Sequence, residues 1–105
     1  MPGSYATIIL INLTEKALPK EKILIVDDEP SILRLTMGVL TKEGYVVKGA
    51  SSSHDALGMF EGEKFDLLLT DVVMPDMDGL ELLQRAREVN PDIIAVIMTG
   101  YGTVD

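Results

Sequence analysis

Apolar residues in this chain gather into short unbroken runs rather than strict alternation. Runs of strand length stand at 7–12, 23–26, 65–70 and 93–98, with 46–48 a weaker fifth. Continuous runs of this length suit strands covered on both faces, as in a parallel sheet. Three segments with helical spacing alternate with the last four runs, which predicts βαβ units and a doubly wound α/β fold. The first helix begins near Pro30, a residue suited to an opening turn, and should bury Ile32, Leu35, Val39 and Leu40 before Gly44 stops it. A second, over 53–60, has Ser52 or Ser53 as N-cap and turns Ala56, Leu57 and Phe60 inward. A third, over 79–89, should bury Leu80, Leu83 and Ala86 and end at Asn90-Pro91. Segment 14–21, with Pro19 and mixed charges, reads as a linker, dividing the chain into an extension at 1–21 with one strand and a domain at 22–105.

Two of these strands end on acids. The run Ile23-Leu24-Ile25-Val26 leads into Asp27-Asp28, and Leu67-Leu68-Leu69-Thr70 leads into Asp71. Ligands of open α/β sheets bind beyond the carboxyl ends of the strands, so three carboxylates delivered there read as a site. Clustered carboxylates resist ionising together unless a cation compensates them. Oxygen ligands with no nearby His or Cys point to magnesium.

Composition narrows the function further. The chain has 105 residues, room for one domain and a single core. Nine basic against seventeen acidic residues give a formal charge of −8, which disfavours direct binding of nucleic acid. Without cysteine the chain has neither disulfides nor thiolate metal sites, as a reducing cytoplasm would allow. The early apolar run from Ala6 to Leu13 is too short to span a membrane and lacks signal-peptide features.

From Lys22 onward three motifs occur in order: Lys22-Ile23-Leu24-Ile25-Val26-Asp27-Asp28-Glu29, then Asp71-Val72-Val73-Met74-Pro75-Asp76-Met77-Asp78-Gly79, then Met98-Thr99-Gly100-Tyr101-Gly102. Together they resemble the receiver domain of two-component response regulators. The third looks most like receivers that control enhancer-binding transcriptional activators. The resemblance implies a flavodoxin-like, doubly wound parallel sheet in the cytoplasm, with a sensor histidine kinase as partner. Asp71 would be the phosphoacceptor and Thr99 the switch hydroxyl that hydrogen-bonds the phosphoryl group. Asp28 would bind Mg2+ directly, Asp27 through water, and Val73 through its backbone carbonyl, with Asp71 in the same metal site. Such a domain is a phosphorylatable switch rather than a turnover enzyme.

The family pattern continues after this threonine through a helix, a fifth strand with a phosphate-binding lysine, and a last helix. The 105 residues carry no counterpart, so the fold is expected to be incomplete at its C-terminal end. The fourth strand would then present an apolar edge, and the run at 6–12, foreign to the family pattern, is a candidate to cover it. A parallel placement within one chain is disfavoured by the eight-residue linker, since parallel neighbours need longer crossovers. Antiparallel addition or donation to another subunit is easier, and a homo-oligomer joined through sheet-edge strand pairing is expected.

Other readings compete. Asp27 and Asp28 could cap the helix that begins at Pro30, but capping does not account for Asp71. Glu29 fits the metal shell, a cap or solvent equally well. Met74 and Arg85 stand where a calcium loop aligned on Gly79 needs acidic ligands. His54 has no second ligand nearby and reads as a surface residue, and the scattered methionines read as core or loop contacts. An aspartate-nucleophile phosphatase fits poorly, because Val73 stands where a second general acid is needed. The rival from another class is a non-phosphorylated remnant or shortened form that acts as a self-assembling structural or interaction module.

Overall fold

The computed structural model describes residues 21–98. Within them four strands and three helices alternate: β1 (Lys22–Val26), α1 (Pro30–Lys42), β2 (Val46–Ala50), α2 (Ser53–Gly62), β3 (Leu67–Asp71), α3 (Gly79–Val89) and β4 (Ile94–Met98). The strands form one parallel sheet in the order β2-β1-β3-β4. The chain winds outward from β1 to β2, then returns to β3 on the other side. The switch in winding direction therefore falls between β1 and β3.

Side-chain alternation along the central strands builds two cores. Leu24, Val26 and Leu68 point to one face, where they join Ala56 and Phe60 of α2 and Leu82 and Ala86 of α3. Ile23, Ile25, Leu67 and Leu69 point to the other, where Leu40 of α1 and Tyr45 meet them. With both faces covered, the central strands become continuous apolar runs, which is why the sequence displays no alternation. β1 is buried through Ile23–Val26 and β3 through Leu67–Thr70.

The doubly wound architecture agrees with the sequence reading, and the four strands and three helices among the described residues form the flavodoxin-like parallel sheet expected. Two helix faces need correction. Leu35 and Leu80, expected inside, are 58% and 57% exposed. In α1 the stripe facing the sheet runs through Leu33, Thr36, Met37 and Leu40, so the inward position adjoining Leu35 belongs to a threonine. Thr36 is tolerated there because its hydroxyl donates to the Ile32 carbonyl at 2.8 Å, leaving no unsatisfied polar atom. In α3 the inward stripe is Gly79, Leu82, Leu83 and Ala86, two residues out of phase with Leu80.

Helix ends follow local chemistry. Ser52 caps α2 by accepting the Asp55 N–H at 3.1 Å, and Asp78 caps α3 by accepting the Glu81 N–H at 2.9 Å. Gly44 adopts φ 100° just beyond α1, a left-handed conformation suited to glycine. The expected strand at 6–12 lies outside the described residues.

Candidate metal and phosphoacceptor site

Register brings the acids together. Val26 on β1 pairs with Thr70 on β3, so Asp27 and Asp71 emerge at the same level of the sheet. Asp28 follows at the rim. Carboxylate oxygens of Asp27, Asp28 and Asp71 lie within 4.8 Å of one another. The group sits beyond the carboxyl ends of β1 and β3, at the switch in winding direction.

The three acids differ in environment. Asp27 is almost fully buried, Asp71 is half-buried and Asp28 is exposed. Burial pushes the Asp27 carboxyl up to about 6; the Glu29 N–H, which donates to its Oδ1 at 2.9 Å, opposes this, while Asp71, Asp28 and Glu29 add repulsion. Asp71 is likewise raised, first by burial and also by Asp28, against the lowering effect of the Val73 and Val72 N–H groups. The Val73 N–H donates to Asp71 Oδ1 at 3.3 Å. None of the ion pairs found among the described residues involves these acids. The arrangement is thus a cluster of hard oxygen donors whose ionisation calls for an external cation. That donor set suits Mg2+, which takes one or two carboxylates with water and phosphate oxygens filling the remaining positions.

The connection from β3 to α3 shapes the floor. The Val72 N–H donates to the Met98 carbonyl at 3.0 Å, and the Gly79 N–H donates to the Val72 carbonyl at 2.8 Å. A Cβ on Gly79 would run into the Asp71 carbonyl oxygen, so the first turn of α3 lies directly against the end of β3. Val73 stands exposed between the tied residues and Met74 is buried in the core.

Of the residues singled out from sequence, Asp27, Asp28 and Asp71 converge in one cluster, and Val73 adjoins it. Thr99 lies outside the described residues. The N-cap alternative for Asp27 and Asp28 is not what the geometry favours: the residue in the cap position of α1 is Glu29, without a side-chain cap bond. His54 is exposed, with Nδ1 3.9 Å from Asp76 Oδ2. Sequence reasoning offered Ser53 only as a possible N-cap and gave Asp76 no role of its own, yet the two meet across more than twenty residues of chain. No local pattern announces that pairing.

The acid cluster thus stands at the switch point of a doubly wound parallel sheet, where open α/β sheets bind their ligands. The model of the response regulator receiver domain matches residues 23–105, and the chain belongs to that family. It is 44% identical over 85 residues to sporulation initiation phosphotransferase F of Bacillus subtilis, an alignment covering 81% of this chain and 68% of that protein. A CheY-like response regulator receiver domain protein from Methanospirillum hungatei superimposes with a TM-score of 0.75 at 40% identity, over 81% of this chain and 68% of the other. The response regulator TrrA of Thermotoga maritima, solved in complex with Mg(2+)-BeF, superimposes with a TM-score of 0.66 at 37% identity, over 75% and 67%. Among the described residues no helix is long and apolar enough to cross a membrane.

Proposed function

We propose that this chain is the phosphoacceptor module of a two-component response regulator, occupying residues 22–105 behind an extension at 1–21. Asp71 is the acceptor. A carboxylate oxygen of Asp71 attacks the phosphorus of a phosphohistidine on a sensor histidine kinase, the P–N bond breaks, and the imidazole leaves, taking a proton from solvent. The product is an acyl phosphate on Asp71. The observation that carries this reading is the convergence of Asp27, Asp28 and Asp71, with Asp71 only half-buried and so reachable from outside.

Asp28 and Asp71, the Val73 backbone carbonyl and, through water, Asp27 would hold Mg2+. When bound, the ion neutralises the phosphoryl oxygens that otherwise repel three carboxylates. Asp71 is the fitting nucleophile because it is accessible while Asp27 is enclosed, and a carboxylate is a competent covalent acceptor once that repulsion is removed. Thr99, the residue after β4, would hydrogen-bond the transferred phosphoryl group and draw its own segment inward. Signalling then works by population shift between two conformations, not by turnover. This role fits a cytoplasmic protein that touches no nucleic acid or membrane through these residues.

Incubation with Mg2+ and a small acyl phosphate, followed by intact mass, tests the assignment. One phosphoryl increment is expected in wild type and none in Asp71→Asn. An equal increment in both proteins would refute Asp71 as the acceptor.

One observation favours a second property, self-assembly through the sheet edge. Among the described residues β2 and β4 are the edge strands. β2 carries Lys48, whereas β4 (Ile-Ala-Val-Ile-Met) has no charge and leaves Ile94 exposed. Charges on an edge discourage strand addition, so β4 is the edge suited to it. The run at 6–12, from the same chain or a second copy, is the candidate strand, and a homo-oligomer is the expected form. Native mass spectrometry reads the subunit number, and a monomer at all concentrations would sink the oligomer.

A further inference from the structure

The seven residues between β3 and α3 are anchored on both sides of Val73. On the β3 side, Val72 is bonded to Met98 and Gly79. On the other side, the Met74 side chain is buried and two ties lead away to a different helix. Asp76 accepts the His54 N–H on Oδ2 at 2.9 Å and the Ser53 N–H on Oδ1 at 3.4 Å. In return the Ser53 hydroxyl, fully buried, donates to the Met77 carbonyl at 2.7 Å. The bonds are reciprocal: the loop caps α2, and α2 fixes the loop.

This exchange is more than ordinary capping. The first N–H groups of a helix need acceptors, and α2 already has its own N-cap in Ser52. The additional carboxylate comes from a loop 22 residues further along the chain. Its negative charge also suits the positive end of the helix dipole, and the two backbone bonds, that of His54 foremost, hold Asp76 below the usual carboxylate range. A carboxylate held this way keeps its bonds wherever the neighbouring acids are ionised. The loop between Val72 and Met77 is therefore pinned at both ends, with Val73 exposed between the anchors.

We propose that the Asp76–Ser53 pair is a clamp that positions the Val73 carbonyl and the Asp71 side chain for metal binding, so that Asp76 and Ser53 act as positioning residues. The proposal rests on the phosphoacceptor reading and adds to it a specific means by which α2 supports the metal site. Groups that orient metal ligands from behind weaken metal affinity when removed, although they touch no metal themselves.

The test is calorimetric titration of Mg2+ into wild type, Asp76→Ala, Asp76→Asn, Ser53→Ala and Asp28→Ala, with thermal unfolding measured alongside. Asp76→Ala and Ser53→Ala are expected to bind Mg2+ about 10-fold more weakly than wild type. A variant combining Ser53→Ala with Asp76→Ala should lose less than the product of the single losses, because both belong to one device. Asp76→Asn, which removes the charge but keeps an acceptor for the His54 N–H, should recover most of the affinity. Ser53→Ala leaves net charge unchanged, so its loss would not be a long-range charge effect. Variants that melt earlier yet bind Mg2+ as wild type does would overturn the clamp, leaving a purely structural cap. So would Asp76→Asn failing as badly as Asp76→Ala. If wild type and Asp28→Ala bind Mg2+ alike, the metal site itself is wrong and the clamp falls with it.

Discussion

Val26 and Thr70 are register partners on β1 and β3, and the residue that follows each is an aspartate. One rung of a parallel ladder therefore decides that Asp27 and Asp71 share a level. A slip of one residue would turn the strand's buried set to the opposite face and separate the acids. Each buried run, Ile23–Val26 and Leu67–Thr70, ends directly on an acid, so such a slip would draw a carboxylate into the core, and the apolar core thereby fixes the geometry of a polar site.

Asp27 gives the cluster a pH signature. Its native carboxyl titrates near 6, against 3.8 as the ordinary value, so between these limits the folded protein holds a proton that the unfolded chain has lost. Stability from this group is greatest below about pH 4, falls as pH rises through 6 and is flat above; the loss is on the order of 2 kcal/mol. In the presence of a chelator, Asp27→Asn should therefore melt higher than wild type at pH 7, with the difference shrinking toward pH 4. Equal pH profiles for the two proteins would contradict the burial of an ionisable Asp27.

Added Mg2+ should reverse that destabilisation. At a concentration about 100-fold above its Kd, a ligand specific for the native state stabilises by ~2.7 kcal/mol. Wild type should show a rise in Tm with Mg2+ that Asp28→Ala largely loses. Sodium at matched ionic strength controls for screening.

Gly79→Ala should be costly. The added methyl would meet the backbone carbonyl of Asp71, which cannot swing aside like a side chain. A destabilisation of about 1–3 kcal/mol is expected, of the size of other overpacking substitutions. Because the displaced atoms belong to Asp71 and Val72, Mg2+ binding should weaken in the same variant. Chemical denaturation and Mg2+ titration measure the two effects separately.

Leu80 and Leu82 differ in a way that sequence spacing does not reveal. Leu82 is fully buried, so Leu82→Ala should cost about 2–5 kcal/mol. Leu80 is 57% exposed, and Leu80→Ala should stay within ~0.5 kcal/mol of wild type. Urea unfolding of both variants would show whether α3 is phased as described.

Much of the architecture was legible from sequence because its causes are local or periodic. Apolar runs at 23–26 and 65–70 mark strands covered on both faces, the run at 93–98 marks the partly covered β4, and β2 and β4 fall within a residue or two of their expected positions. Pro30, Ser52, Gly44 and Asn90 punctuate the helices through chemistry that acts over a few residues. The position of Asp27, Asp28 and Asp71 at strand ends followed from the same reading.

Other features depend on which surfaces meet. A threonine and a leucine compete for the inward side of α1, and only packing against the sheet decides for Thr36, whose hydroxyl is satisfied within the helix by the Ile32 carbonyl, over Leu35. The contact of Gly79 with the end of β3 and the exchange between Asp76 and Ser53 join residues distant in sequence. The sequence alone determined the strands, the doubly wound alternation and the three acids, because strand and cap signals are written in neighbouring residues. Tertiary structure decided the helix phases, the upward shift of the Asp27 carboxyl and the ties that hold the β3–α3 loop, because burial and long-range hydrogen bonds exist only after the chain has closed on itself.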